Sequence, residues 1–124
     1  MADEEELARF LTSSNQFKTS FVRQSVFLPS RDNETSVFRH GLEPLKELRA
    51  LGKIATGDRT LYGAAIIRAS VVRNVGLEVL ADELPERHAV ICSWPQDKDE
   101  FLQKAKQKEL ALLLASSAGA PILF

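Results

Sequence analysis

RHAVICSWP, residues 87–95, brings an arginine, a histidine, the only cysteine and the only tryptophan of the chain together. Read as a strand, it puts His88, Val90, Cys92 and Trp94 on one face and Arg87, Ala89, Ile91 and Ser93 on the other. Both faces are apolar at the centre, the pattern of a strand covered on both sides. His88 and Cys92 lie roughly 13 Å apart on such a strand, at ~3.3 Å per residue. A cysteine–histidine nucleophile pair needs contact at about 3 Å. These two therefore do not form one, and Cys92 reads as a small buried hydrophobe. His88 and Arg87 begin the strand, where polar side chains reach solvent.

Around this stretch, LEVLA (77–81) is a second strand and DELPE (82–86) the turn between them. Downstream, Asp97 and Glu100 form a D-x-x-E helix start, and the helix runs to about Ser116. Residues 117–124 are a C-terminal tail. Upstream, Ser70 caps a short helix, VVRNV, closed by Gly76. LYGAAII (61–67) is a strand whose Gly63 allows close approach of another group. GLEPLKELRALG (41–52) is a helix with Pro44 near its start and a stripe of Leu42, Leu45, Leu48 and Leu51. Gly52 is placed to stop it, leaving KIATGDR as a loop. TSVFR (35–39) is a strand, read as the return arm of a hairpin with FKTSFVRQSVFL (17–28), which carries a bulge at Phe21–Val22. Residues 1–16 read as a short helix and a polar stretch. Asp3 caps it, Glu4, Glu5 and Glu6 fill its first turn, and Leu7, Phe10 and Leu11 recur at helical spacing.

The order α, β, β, α, β, short α, β, β, α predicts an α+β fold. A single domain, 1–124, would hold a largely antiparallel sheet of about five strands with helices on one side.

The chain has 124 residues, 44% of them hydrophobic, and a formal net charge of −1. That length suits one domain. The charge balance gives no field to attract nucleic acid or an anionic membrane. One cysteine and two histidines, His40 and His88, disfavour a metal centre. The acidic N-terminus lacks the pattern of a signal peptide, and the free cysteine fits a reducing cytoplasm. No P-loop, dinucleotide-binding, zinc-protease or nucleophile-elbow motif is present, and no cofactor is implied.

Two features remain. FRHG (38–41) sets Arg39 and His40 at a strand end, and Tyr62, Arg68, Arg87 and His88 lie near others. If they converge, Arg39, His40, Arg87 and His88 would bind a phosphate or carboxylate, and Arg39, His40, Tyr62 and His88 would be the catalytic set of an enzyme. The plainer reading is solvated arginines and backbone-bonded histidines. The second feature is LALLLA (110–115), with APILF after it. A helix apolar all round is buried all round or meets a partner. Leu110, Leu113, Leu114, Ile122 and Phe124 are candidate interface residues for another protein or a second copy.

The strands SVFR, GLxV and HAxIxxWP resemble those of a group of small bacterial proteins of unassigned activity. The resemblance spans about residues 19–115 and implies one complete small bacterial domain. As fold analogy the chain is also similar to ADP-ribosyltransferase-like folds, which would imply roles for Arg39 or His40, Tyr62 and Glu78. The leading expectation is a non-catalytic, self-associating interaction module. The alternative is an enzyme or sensor for a small phosphorylated ligand or nucleotide.

Overall fold

Leu7 and Leu11 face one way and Ala8 and Phe10 the other, and all four are buried. Glu6–Leu11 is accordingly a central strand, β1, in the computed structural model, which describes residues 1–40, 44–82 and 86–124. The expected N-terminal helix is overturned. Apolar residues on both faces of a covered strand fall at the same spacings, and so short a helix has little stability of its own. The acids ahead of β1 make ion pairs instead: Glu5 with Arg39 at 3.1 Å, and Asp3 with Arg73.

Residues 17–28 are not one strand. β2 (Phe17–Lys18) and β3 (Phe21–Val22) form a separate tiny hairpin, followed by a 3₁₀ turn at Gln24–Val26. Next come β4 (Thr35–Arg39), α1 (Leu45–Thr56), β5 (Gly63–Arg68), α2 (Ala69–Asn74) and β6 (Glu78–Ala81). The chain closes with β7 (His88–Cys92), α3 (Glu100–Ala118) and β8 (Ile122–Leu123). The main sheet runs β6-β7-β4-β1-β5-β8, and every neighbouring pair is antiparallel. Among the described residues this is a single-domain α+β fold with a six-stranded sheet and three helices, one strand more than expected. β4 is a strand as anticipated, but its partners are β1 and β7.

The helices cover both faces, not one. On one side Leu7, Leu11, Val37, Ile67 and Ile91 pack with Val72 of α2 and Leu114 of α3. On the other, Ala8, Phe10, Phe38 and Ala64 pack beneath Leu48 of α1. Leu45 of the expected α1 stripe is exposed. Leu42, and residues 83–85 of the DELPE turn, lie outside the described residues.

Gly52 does not end α1. It sits inside the helix where Phe10 presses against it; an added Cβ would lie 2.8 Å from the Phe10 ring. Packing outweighs the ~1 kcal/mol that a mid-helix glycine costs, and α1 continues to Gly57, whose φ is +59°. Ser70 does not cap α2; it lies within that helix, and its backbone N–H donates to Asp3 O. The cap of α3 is Asp99, whose carboxylate accepts from the Phe101 and Leu102 amides. Asp97 instead accepts from the Asp99 amide and the Lys106 ammonium, which hold its pKa below the usual carboxylate value.

β7 is a strand covered on both faces at Ala89, Val90 and Ile91. Its alternation ends at Ser93, whose φ of +66° turns Trp94 into the larger core beside Ala89 and Ile91. Trp94 thus joins the face opposite to the one expected. The segment read as a tail supplies β8, on the edge of β5. Gly63 makes this possible, since any side chain there would overlap the Ile122 carbonyl oxygen.

Gly63→Ala should lower stability by about 1–3 kcal/mol through overpacking. Urea unfolding would measure that loss, and hydrogen exchange should show the amides of β8 opening first. Asp97 should contribute stability above its ordinary pKa of 3.8, and lose it as pH falls through its lower folded value. The difference in urea midpoint between wild type and Asp97→Asn should therefore shrink as the pH is taken below 3.8.

Candidate functional site

The ladder between β1 and β4 consists of Leu7–Arg39 and Ala8–Phe38. Continued by one step, it would set Arg9 against Val37. Instead the Arg9 side chain spans the gap: Nε donates to Val26 O and Nη1 to Ser36 O, each at 2.9 Å. A guanidinium thus replaces a stretch of sheet hydrogen bonding. Both acceptors are neutral carbonyls. Burial pushes the Arg9 pKa below the usual arginine value, and the nearby charge of Arg59 pushes it the same way.

Above this gap lies a cleft of about 350 Å³, walled by Phe10 and Phe38 and by the end of α1. The two rings meet at 5.6 Å. Arg59 follows α1 and turns back over its last turn, donating from Nε to Thr56 O at 3.2 Å. Carbonyls at a helix C-terminus favour a cation there. On the rim, Gln16 Oε1 accepts from the backbone N–H groups of Thr12 and Ser13, which pins the turn between β1 and β2.

His88 closes the far side. It starts β7 opposite Phe38, and its ring stands edge-on to the phenyl at 5.3 Å. Nε2 lies 2.6 Å from Ser36 Oγ. Nδ1 faces two oxygens of Asp82, the main-chain O at 3.2 Å and Oδ2 at 3.3 Å. The backbone fixes both residues, since the Asp82 N–H donates to His88 O at 2.8 Å.

Of the residues expected at a site, only His88 lines this cleft. Arg39 pairs with Leu7 in register and its guanidinium goes to Glu5, on the other side of the sheet from His88. Arg87 adopts φ +65° in the turn before β7, and its carbonyl accepts from Arg39 N. His40 is buried, with no partner for Nδ1 among the described residues. Arg68 is exposed at the end of β5. Tyr62 packs on Phe17 at 5.7 Å. Glu78 pairs with Cys92, at the opposite end of β7 from His88. The expected convergence of Arg39, His40, Tyr62 and Arg87 with His88 does not occur in this cleft: none of the four lines it, and Arg39 lies on the opposite face of the sheet. Glu78, the acid of the ADP-ribosyltransferase analogy, lies outside it too.

The candidate interface residues also divide. Leu114 is fully buried, Leu110 packs partly on the larger core, and Ile122 and Phe124 pack beside α1. Leu113 alone of the five projects, next to exposed Leu112. Arg9, Ser36, Asp82 and Arg59 were missed. Arg9 carried a signal: it is the one charge in LARFL, a stretch otherwise apolar on both faces.

Arg9→Met should lower stability by about 1–3 kcal/mol, because it strips donors from two carbonyls at the strand gap. Arg59→Gln, at an exposed helix end, should cost under about 1 kcal/mol. Paired urea titrations in phosphate-free buffer would distinguish the two.

Among the described residues, no helix is long and apolar enough to cross a membrane. No protein family matches the chain, and no curated protein or solved structure is significantly similar to it.

Proposed function

We propose that the chain binds a small anionic molecule, bearing a phosphate or a carboxylate, in the cleft between β1, β4 and the end of α1. One observation carries this reading: among the described residues, the lining holds Arg9, Arg59 and His88 and no acidic side chain. Two guanidinium groups stand close enough for one to lower the pKa of the other. Their described hydrogen bonds go to carbonyls, so their charge is not neutralised there. An anion would relieve that repulsion, and guanidinium groups suit planar oxyanions. The phenyl walls give an apolar contact beside the charge, and the volume fits a small metabolite. The ligand class matches the phosphorylated-ligand expectation, but the residues that bind it differ. A cytoplasmic setting, in which Cys92 stays a thiol, agrees with such a ligand.

Inorganic phosphate, pyrophosphate and short dicarboxylates should raise the melting temperature of the wild type. At a hundredfold over Kd the gain should be about 2.7 kcal/mol. Arg59→Gln should abolish most of it. Equal stabilisation by chloride at matched ionic strength, or an undiminished shift in Arg59→Gln, would overturn the reading.

A second reading is a docking module that joins another protein or a second copy. It rests on Leu112 and Leu113, adjacent and about half exposed at 53% and 48% on the longest helix. On this reading light scattering should give a dimer, converted to monomer by Leu112→Glu/Leu113→Glu. A wild-type monomer at high concentration would remove it.

A further inference from the structure

We infer that Ser36 is a nucleophile, activated by His88 and positioned by Asp82, and that the cleft hydrolyses small esters carrying a phosphate or carboxylate group. The choice of an anionic substrate rests on the proposed function; the nucleophile rests on its own geometry. Ser36 Oγ and His88 Nε2 are 2.6 Å apart, within reach for proton transfer. Which imidazole nitrogen carries the proton follows from the other side of the ring. Among the described residues Nδ1 faces only acceptors there, the main-chain O and Oδ2 of Asp82. The hydrogen therefore sits on Nδ1, and Nε2 is left as the base that receives the Ser36 proton. The Phe38 edge fixes the ring plane.

The surroundings suit acyl transfer. Ser36 is exposed and lines the cleft, so a substrate carbonyl can reach its hydroxyl. Arg9 donates to the carbonyl of this same residue, which fixes a cation beside the reacting centre, where negative charge develops. Arg59 is available for the remote anionic group. In the reaction, Ser36 Oγ bonds to the ester carbonyl carbon as its proton passes to Nε2. The bond from that carbon to the alcohol oxygen breaks, and His88 returns the proton to the leaving alcohol. Water, deprotonated by the same nitrogen, then cleaves the acyl–serine bond and restores the hydroxyl. The sum is ester plus water giving acid plus alcohol.

The first probe is a fluorophosphonate, which bonds to an activated serine with loss of fluoride and takes no part in anion binding. Intact mass should show one adduct, and peptide mapping should place it on Ser36. Ser36→Ala should abolish it. His88→Gln should slow it by roughly 10²–10⁴-fold. Asp82→Ala keeps the main-chain acceptor on Nδ1 and should slow it less. The second probe is a pair of nitrophenyl esters, a succinate hemiester and neutral butyrate. Wild type should prefer the hemiester several-fold, and Arg59→Gln should lose that preference. The phosphate-induced thermal shift is measured on every variant, and the melting transition without phosphate verifies folding. A retained shift in Ser36→Ala and His88→Gln without any labelling of wild type would overturn the nucleophile and leave the anion site. Labelling of Ser36 without any phosphate shift in wild type would overturn the anionic substrate class. Adducts that persist in Ser36→Ala would overturn the assignment of the residue.

Discussion

β1 must bury both of its faces. Leu7 and Leu11 on one side, and Ala8 and Phe10 on the other, are worth roughly 1.5–3 kcal/mol for each large side chain hidden from water. Neither face can be left to solvent, so the sheet needs a helical layer on each side. α2 and α3 cover the first face. α1 alone covers the second and has to come close, which is why a glycine stands at its contact with Phe10. The edge is handled by the same economy of space: Gly63 lets the last residues of the chain pair with β5. An exposed β5 edge would otherwise present unpaired backbone groups to other chains.

The cleft arises where this sheet stops being regular. β1 and β4 part after two paired positions, and backbone carbonyls beside the parting, left without ladder partners, take other donors. Arg9 supplies them with its guanidinium. Water or an amide side chain would satisfy carbonyls as well, without bringing in a charge. The choice of arginine therefore places a cation at the base of a cavity, and Arg59 adds a second. The desolvation that lowers the Arg9 pKa is an energetic cost, one that the proposed anion would reduce.

Much of the sheet was legible in the sequence. Strands β4, β5, β6 and β7 follow from β-branched and apolar runs bounded by turn residues, and the close approach at Gly63 follows from a glycine inside a strand. The helix read into residues 1–16 failed because a strand buried on both faces and an amphipathic helix share apolar spacings over six residues; only the pairing of β1 with β4 and β5 separates them. Gly52 and Ser70 failed for a related reason: tertiary packing overrode local stop and cap preferences. Trp94 changed face because one positive φ at Ser93 resets alternation, and nothing local to a serine announces that. The site was less legible. Arginines and histidines at strand ends are neighbours only if register and face both agree, and of those singled out only His88 meets the condition. Ser36 has no motif around it; its partner is 52 positions away.

Register is therefore what makes the site. Phe38 stands opposite His88 and Ser36 opposite Val90, so Ser36 and His88 share a face as diagonal neighbours across β4 and β7. A slip of one residue in that ladder would turn His88 into the larger core and Ala89 to the cleft. Two features oppose the slip. Ala89 and Ile91 are fully buried, with no room there for an imidazole. The Asp82 N–H to His88 O bond also locks β6 to the start of β7, and in doing so brings both Asp82 oxygens to Nδ1. The backbone bond that terminates the hairpin and the contacts that orient the imidazole come from the same pair of residues. The small apolar residues of HAVIC, which look like mere core, thus determine where the imidazole of that strand can point.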